Sequence, residues 1–407
     1  MKPRNADESR AAKENGVQSE KCKVQSAKCK VKQDGDSATH VALLVLALVF
    51  TLCTLHFPLL TFHYSLSTWY SVTSIHEPLL FETYLRPQIW GGDGLARHLG
   101  KQIPEHALIG EAWELSTLPE HISRVSAGPC CGESLANLWS RSCGELSGTA
   151  ATGDEFPWLV KWLDCAGGLS LQVHPEDSIA RSVLGLPHGK SEAWVIVHVE
   201  PGARVSIGLR DGVTRATFET HLANGTIDEC LHTFEPRVGD CLSLPAGTVH
   251  TAHGVILAEV QQPSDATFRL FDWNRLDETG QSRPLQLERG LQAIDWQQGP
   301  IDPLTPKSLD VRDPGVFGEA LLSVPWVRLE RYTIERSWTS PHVGELTVWM
   351  VIDGDAELLD PTNAKRRELP HGSTVLIPAA AGAVSWSPQT ADSRCTLLCI
   401  REPRGSG

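Results

Sequence analysis

The chain has 407 residues, 41% of them hydrophobic and 21% charged, the make-up of a folded globular protein of two or three domains at roughly 100–200 residues each. A formal net charge of −13 excludes a general nucleic-acid binder, which needs a basic face. Eleven scattered cysteines without a CxxC pair exclude zinc-ribbon and thioredoxin-like motifs, and point to reduced thiols in a cytoplasmic protein.

Residues 1–40 are polar and mixed in charge, with a near-repeat, VQSEKCK then VQSAKCK, over 17–23 and 24–30. Such a segment buries too little surface to fold and is expected to be a disordered tail. VALLVLALVFTLCTLHFPLLTF follows, residues 41–62, a hydrophobic helix long enough to span a bilayer at about 20 residues. Nine Lys and Arg against six Asp and Glu over residues 1–36 would hold the N-terminus inside. Two readings stand. Either 41–62 is a membrane anchor, or the functional chain starts near residue 75 and the membrane is no partner. Met350 is the only methionine after Met1, so a later start would need a non-AUG codon.

From about residue 78, short apolar runs alternate with Gly, Pro, Asn and Asp. Examples are WLVKWLD (158–164), AWVIVHV (193–199), CLSLPAG (241–247), VILAEVQQ (255–262), VWMVIDG (348–354) and STVLIPA (373–379). This spacing predicts a mainly β protein, a sandwich or barrel. TRATFETHLANG (214–225) and IDECLHTF (227–234) predict two short helices, stopped between them by Asn224-Gly225, in a helical insertion over about 212–236.

LSLQVHPEDS (169–178) carries the first chemical signal. At period 2, Leu169, Leu171 and Val173 share one face, and Ser170, Gln172 and His174 share the other. Further on, GDCLSLPAGTVH (239–250) has the skeleton Gly, five residues, Pro, one residue, Gly, two residues, His. This resembles the second motif of the cupin superfamily, small jelly-roll barrels that commonly hold one metal. Gly239 permits the turn into the strand, Pro245 and Gly247 turn the chain at the barrel mouth, and His250 re-enters it. In that resemblance Gln172 and His174 take the place of the first motif's ligand pair, and Glu192 in GKSEAW that of its glutamate. Two nitrogens and two oxygens suit a divalent ion, zinc foremost. His198, His232, His342 and His371 are expected to be ordinary satisfied or exposed histidines. His253 is a candidate supporting group beside His250.

The longer segments GGLSLQVHPED, HGKSEAWVI, GDCLSLPAGTVHTAHGVILAEVQQPSDATFRLFDWNR, WGGDGL and IGEAWELS resemble the mannose-6-phosphate isomerase family, in particular its short bacterial branch of two cupin domains. The likeness runs from about residue 78 to 404; residues 1–77 have no counterpart in it. It implies two cupin (jelly-roll) barrels, a catalytic metal-binding one over 78–310 and a metal-free one over 311–405. It implies one zinc ion per chain on His174, Glu192 and His250, with Gln172 the additional ligand of longer relatives. The substrate implied is a small sugar phosphate, mannose 6-phosphate, isomerised to fructose 6-phosphate through an enediol(ate). The family's catalytic arginine falls on Arg269, and Lys190 matches a lysine of the sugar-phosphate pocket. Arg269 and Lys190 are also the candidate phosphate seat. The base that takes the C2 proton stays open among His253, a zinc-bound water, Lys190 and Glu259, the last also a substrate contact. Arg269 has an alternative as a salt-bridge partner of Asp272 or Glu259, and Lys190 as a solvated loop charge. Lys161, in mid-strand, is expected to brace Glu111 or Glu114. Two other functions remain open from the sequence: a catalytically idle cupin that binds sugar or metal, and an iron-dependent cupin oxygenase.

Overall fold

The computed structural model of the chain describes residues 75–148, 155–277, 279–360 and 364–403. The expected tail over 1–40 and hydrophobic helix over 41–62 lie outside the described residues. Among the described residues, no helix is long and apolar enough to cross a membrane.

The structure is mainly β. Its first part contains β1 (Tyr84–Gly92), β2 (Ile109–Leu115), a small hairpin of β3 (Thr117–Leu118) and β4 (His121–Ile122), β5 (Leu159–Asp164), β6 (Leu171–Val173), β7 (Glu192–Leu209), β8 (Leu231–Phe234), β9 (Cys241–Leu244), β10 (His250–Gln261) and β11 (Phe268–Phe271). All but the hairpin form one sheet in the order β1-β2-β5-β10-β6-β11, with β7 on β10 and carrying β8 and β9. The second part contains β12 (Lys307–Ser308), β13 (Val316–Val324), β14 (Val327–Ile334), β15 (Trp338–Thr339), β16 (Thr347–Asp353), β17 (Ala356–Asp360), β18 (Lys365–Leu369), β19 (Thr374–Ile377), β20 (Ser385–Pro388) and β21 (Cys395–Arg401). These make a six-stranded sheet, β12-β13-β14-β21-β16-β19, and a four-stranded one, β15-β20-β17-β18.

Period-2 alternation sorts each strand's residues between two cores. In the second part, Val348 and Met350 of β16 and Leu398 and Ile400 of β21 face one cluster, while Trp349, Val351, Leu397 and Cys399 face another. Burial on both faces is why VWMVI and TLLCI read as unbroken apolar runs. The first cluster also takes Val160 and Trp162 of β5, Ala193 and Val195 of β7, and Ala258 and Val260 of β10. One face of the nine-stranded sheet is thus spent on packing against the second part. The other face packs Leu163, Trp194, Ile196, Val205 and Leu257 into a core of its own, and beside that core Gln172 and Arg269 line a cavity.

Of the two helices expected over 212–236, the first is present: Arg215–Asn224 is a helix, capped by Thr214 and ended by Gly225 at φ +71°. IDECLHTF is different. Ile227–Cys230 is one 3₁₀ turn, and Leu231–Phe234 is strand β8, paired with β7 at Leu209 and Val205. A free sheet edge offers backbone hydrogen bonds that outweigh weak local helix propensity.

Candidate metal centre and active site

Four strands deliver the predicted residues to one place. Leu171 and Val173 of β6 are buried with Phe268 and Leu270 of β11, which turns Gln172 toward the cavity. His174 follows at the strand end, Glu192 opens β7 and His250 opens β10 directly opposite Gln172. Gly239 and Gly247 adopt φ of +93° and +89°, a region costly for residues with a Cβ. The Gly247 N–H also donates to the His174 carbonyl at 2.8 Å, tying the turn to the end of β6.

His174, Glu192 and His250 are buried, each at 2% exposure or less. His174 Nε2 lies 3.1 Å from Glu192 Oε1, and His250 Nε2 lies 3.7 Å from Glu192 Oε2. Each imidazole Nδ1 faces a carbonyl that can only accept, Ala266 O and Thr248 O, both at 2.9 Å. Nδ1 therefore carries the proton, and Nε2 presents a lone pair, bare in His174 and facing the Gln172 amide in His250. Burial, then Lys190, lowers the His174 pKa, and burial, then His174, lowers that of His250 to about 3; both shifts favour the neutral ring. Burial alone would raise the Glu192 carboxyl, but Lys190 and then His174 hold it well below the usual range. His174 Nε2 and both Glu192 oxygens have no hydrogen bond. Lys190 Nζ lies 2.8 Å from Glu192 Oε1, an ion pair without hydrogen-bond alignment. The convergent lone pairs repel one another, and those of His174 and Glu192 lack a hydrogen bond, which costs desolvation energy. A divalent cation removes both penalties, and a His₂Glu set with open positions is a common zinc donor set.

Gln172 places its amide nitrogen 3.1 Å from His250 Nε2, with its oxygen accepting from Ser170. The nitrogen end therefore faces the trio. Turned end for end, the amide offers its oxygen as a fourth ligand.

Beside the trio opens a cavity of about 270 Å³, whose walls include Gln172, Lys190, Arg269, Glu259, Lys161 and Arg86. Arg269 is the cross-strand neighbour of Gln172. Its Nη1 donates to Pro284 O at 2.9 Å, and its Nε is buried without a partner. Neither acid expected as its alternative partner is free. Asp272 is clasped by Arg275 at 2.5 Å and Arg283 at 2.6 Å, and Glu259 holds Lys161 at 3.1 Å and Trp194 Nε1 at 2.9 Å. Among the described residues, no carboxylate reaches Arg269 within ion-pair distance. Lys190 is buried rather than solvated. Lys161 pairs with Glu111 at 3.4 Å as well as with Glu259, while Glu114 goes to Lys101 at 2.6 Å. Burial alone would lower the Lys161 pKa; Glu259 and then Glu111 raise it.

His253, three residues past His250, falls on the other face of β10. It is exposed and opens on a separate cavity with Arg204 and Trp273, away from the trio. Arg86, Gln88, Asp265 and Thr267 also line the cavity beside the trio, although no sequence motif singled them out. A periodic signal for them exists: Arg86, Gln88 and Trp90 alternate on β1, and Asp265 and Thr267 lead into Arg269 at period 2.

Residues 79–193 match the profile of the family "Phosphomannose isomerase type I, catalytic domain". Mannose-6-phosphate isomerase ManA of Bacillus subtilis is 35% identical over 223 residues, 54% of this chain and 68% of that protein. Mannose-6-phosphate isomerase of Streptococcus mutans is 31% identical over 262 residues, 64% of this chain and 80% of that protein. The crystal structure of the mannose 6-phosphate isomerase from Bacillus subtilis superposes with a TM-score of 0.72 at 26% identity, covering 80% of this chain and 99% of that one. On these relatives and this fold, the chain belongs to the mannose-6-phosphate isomerase family of enzymes.

Proposed function

We propose that the chain is a zinc-dependent aldose–ketose isomerase that interconverts mannose 6-phosphate and fructose 6-phosphate through an enediolate. One observation carries the chemistry: lone pairs of His174, Glu192 and His250 converge beside a cavity, His174 Nε2 and both Glu192 oxygens without a hydrogen bond, and the same cavity holds an arginine that no carboxylate among the described residues reaches. We read the sheets of the two parts as two cupin barrels, the first catalytic and the second beginning at β12, a few residues before the expected boundary at 310, and place the activity in the cytoplasm on the strength of the scattered free thiols.

His174, Glu192 and His250 would hold the ion, with Gln172 as a fourth ligand if its oxygen faces inward. When bound, zinc supplies a Lewis acid toward the sugar's carbonyl and hydroxyl oxygens. The remaining work falls to the chain. Arg269, free of a carboxylate, offers its guanidinium to the enediolate oxygen or to the phosphate. Lys190 brings a second cation to the same wall. Glu259 Oε1, buried and without a hydrogen bond, accepts from a sugar hydroxyl, while Lys161 holds it in place. Of the side chains considered for moving the proton between C1 and C2, Lys190 and Glu259 face the cavity and His253 does not.

The test is a coupled assay on the purified full-length protein, following mannose 6-phosphate to fructose 6-phosphate before chelation, after it, and with zinc restored. Activity lost to the chelator and recovered with zinc supports the assignment. A folded, zinc-loaded protein with no turnover overturns it.

A further inference from the structure

A second group of nitrogen and oxygen ligands lies outside the active cavity. The helix Gly94–Leu99 carries His98, and β7 carries His198 and Glu200. The two imidazoles stack with centroids 3.6 Å apart and planes 24° from parallel. His198 Nε2 lies 3.4 Å and His98 Nε2 3.7 Å from the same Glu200 Oε1. The three atoms lie within 4.8 Å of one another. Both Nε2 atoms are shielded from solvent and neither has a hydrogen bond. Two buried nitrogens left unpaired beside a carboxylate incur a desolvation penalty that one cation relieves.

We propose that His98, His198 and Glu200 form a second divalent metal site, independent of the active centre. Two imidazoles and one carboxylate select the Zn²⁺, Cu²⁺ and Ni²⁺ class over Mg²⁺ and Ca²⁺, which demand oxygen. The side chains are 25%, 30% and 42% exposed, so the ion exchanges with solvent, unlike one held by the buried trio. The present competitor is Arg97, whose Nη2 stands 3.4 Å from Glu200 Oε1. Arg97 also holds Asp93 through Nε at 2.8 Å, so an ion that takes Glu200 leaves it paired. The ion would fasten the helix to β7. That helix starts at Gly94, whose N–H donates to Asp164 Oδ2 at 2.7 Å, four residues after Trp90 in the cavity wall. Loading therefore stiffens the frame behind the active site without touching it.

The experiment uses full-length protein stripped with a chelator, with Zn²⁺ and then Cu²⁺ as probes. Equilibrium dialysis against zinc should find two binding events in the wild type. His198→Ala and Glu200→Gln should each lose or weaken the softer one by at least about tenfold. Both should retain isomerase turnover within about twofold of wild type, since the altered residues lie outside the active cavity. In His174→Ala, where the active centre is disabled, the Cu²⁺ electron-paramagnetic spectrum should show nitrogen coupling that adding His198→Ala removes. A wild type with one binding event overturns the proposal, as do His198→Ala and Glu200→Gln variants that keep the wild-type count and affinities. Loss confined to His174→Ala would likewise overturn it, by assigning both events to the active centre.

Discussion

The Nδ1–H bonds of His174 and His250 to backbone carbonyls decide what those rings can do, because they leave the Nε2 lone pairs as the ligand atoms, that of His174 without a hydrogen bond beside Glu192 and that of His250 facing the Gln172 amide. Glu192→Gln keeps the shape and removes the charge. It should lower zinc affinity at the active centre by at least about 10–100-fold and abolish turnover at limiting zinc, as metal analysis beside the coupled assay will show. Arg269 is the complementary case, a cation without an acid. Arg269→Met should lower kcat by about 10²–10³ while bound zinc is unchanged; equal turnover in the two proteins would remove Arg269 from the reaction. Arg269→Lys should recover little, since a point charge does not reproduce a planar fork.

At the scale of elements, β5, β10, β2 and β1 lay their charges in a row, and register makes the row. Glu259 pairs across to Lys161, Lys161 to Trp113, and Glu111 to Arg86. Lys161→Met strands Glu259 and Glu111 without their shared cation. Urea unfolding should report a loss of about 3–5 kcal/mol, the usual cost of breaking a buried ion pair from one side. In the second part, β14 and β21 meet in a similar network. Glu330 accepts from Tyr332 at 2.8 Å and lies 3.2 Å from His342 and 3.5 Å from Arg401, close enough to Cys399 to resemble a ligand cluster. Arg401 already supplies the cation there. Burial alone would raise the Glu330 carboxyl; hydrogen bonding to His342 and then the charge of Arg401 lower it to about 2. A lowered carboxyl pKa stabilises the fold above the ordinary value near 4.5 and ceases to do so as pH falls toward 2. Urea midpoints between pH 6 and 2 should therefore fall steeply in the wild type below about 4.5, and less so in Glu330→Gln.

At the scale of the molecule, an apolar cluster of the described residues joins the two parts, and the segment just before β1 closes it. Leu79 pairs with Leu376 of β19 through N–H···O bonds of 2.8 and 3.0 Å, and Trp158 Nε1 donates to Trp326 O at 3.1 Å. Leu79 is 3% exposed. Leu79→Ala should cost about 2–5 kcal/mol. Because the lost contact bridges the parts, calorimetry should show it as a lower common transition, with the active-centre zinc affinity little changed. A split into two transitions, with the first part unmoved, would mean that the parts fold independently.

Features set by neighbours in the chain are legible in the amino-acid sequence by itself. Period 2 places Gln172 and His174 on one face, and the glycines that turn the chain before His250 stand in the skeleton of GDCLSLPAGTVH that resembles the cupin motif, because strand phase and turn chemistry depend on a few consecutive residues. The roles proposed for Lys190 and Arg269 rest on resemblance to a family, since nothing local separates either from a surface charge. Register did the rest. Arg86 and Asp265 enter the cavity, His253 leaves it, Leu231–Phe234 becomes a strand, and His98 stacks on His198 from a distant part of the chain. Each outcome depends on which strand or helix lies alongside, and that choice minimises the free energy of the whole packed molecule, which no short stretch encodes.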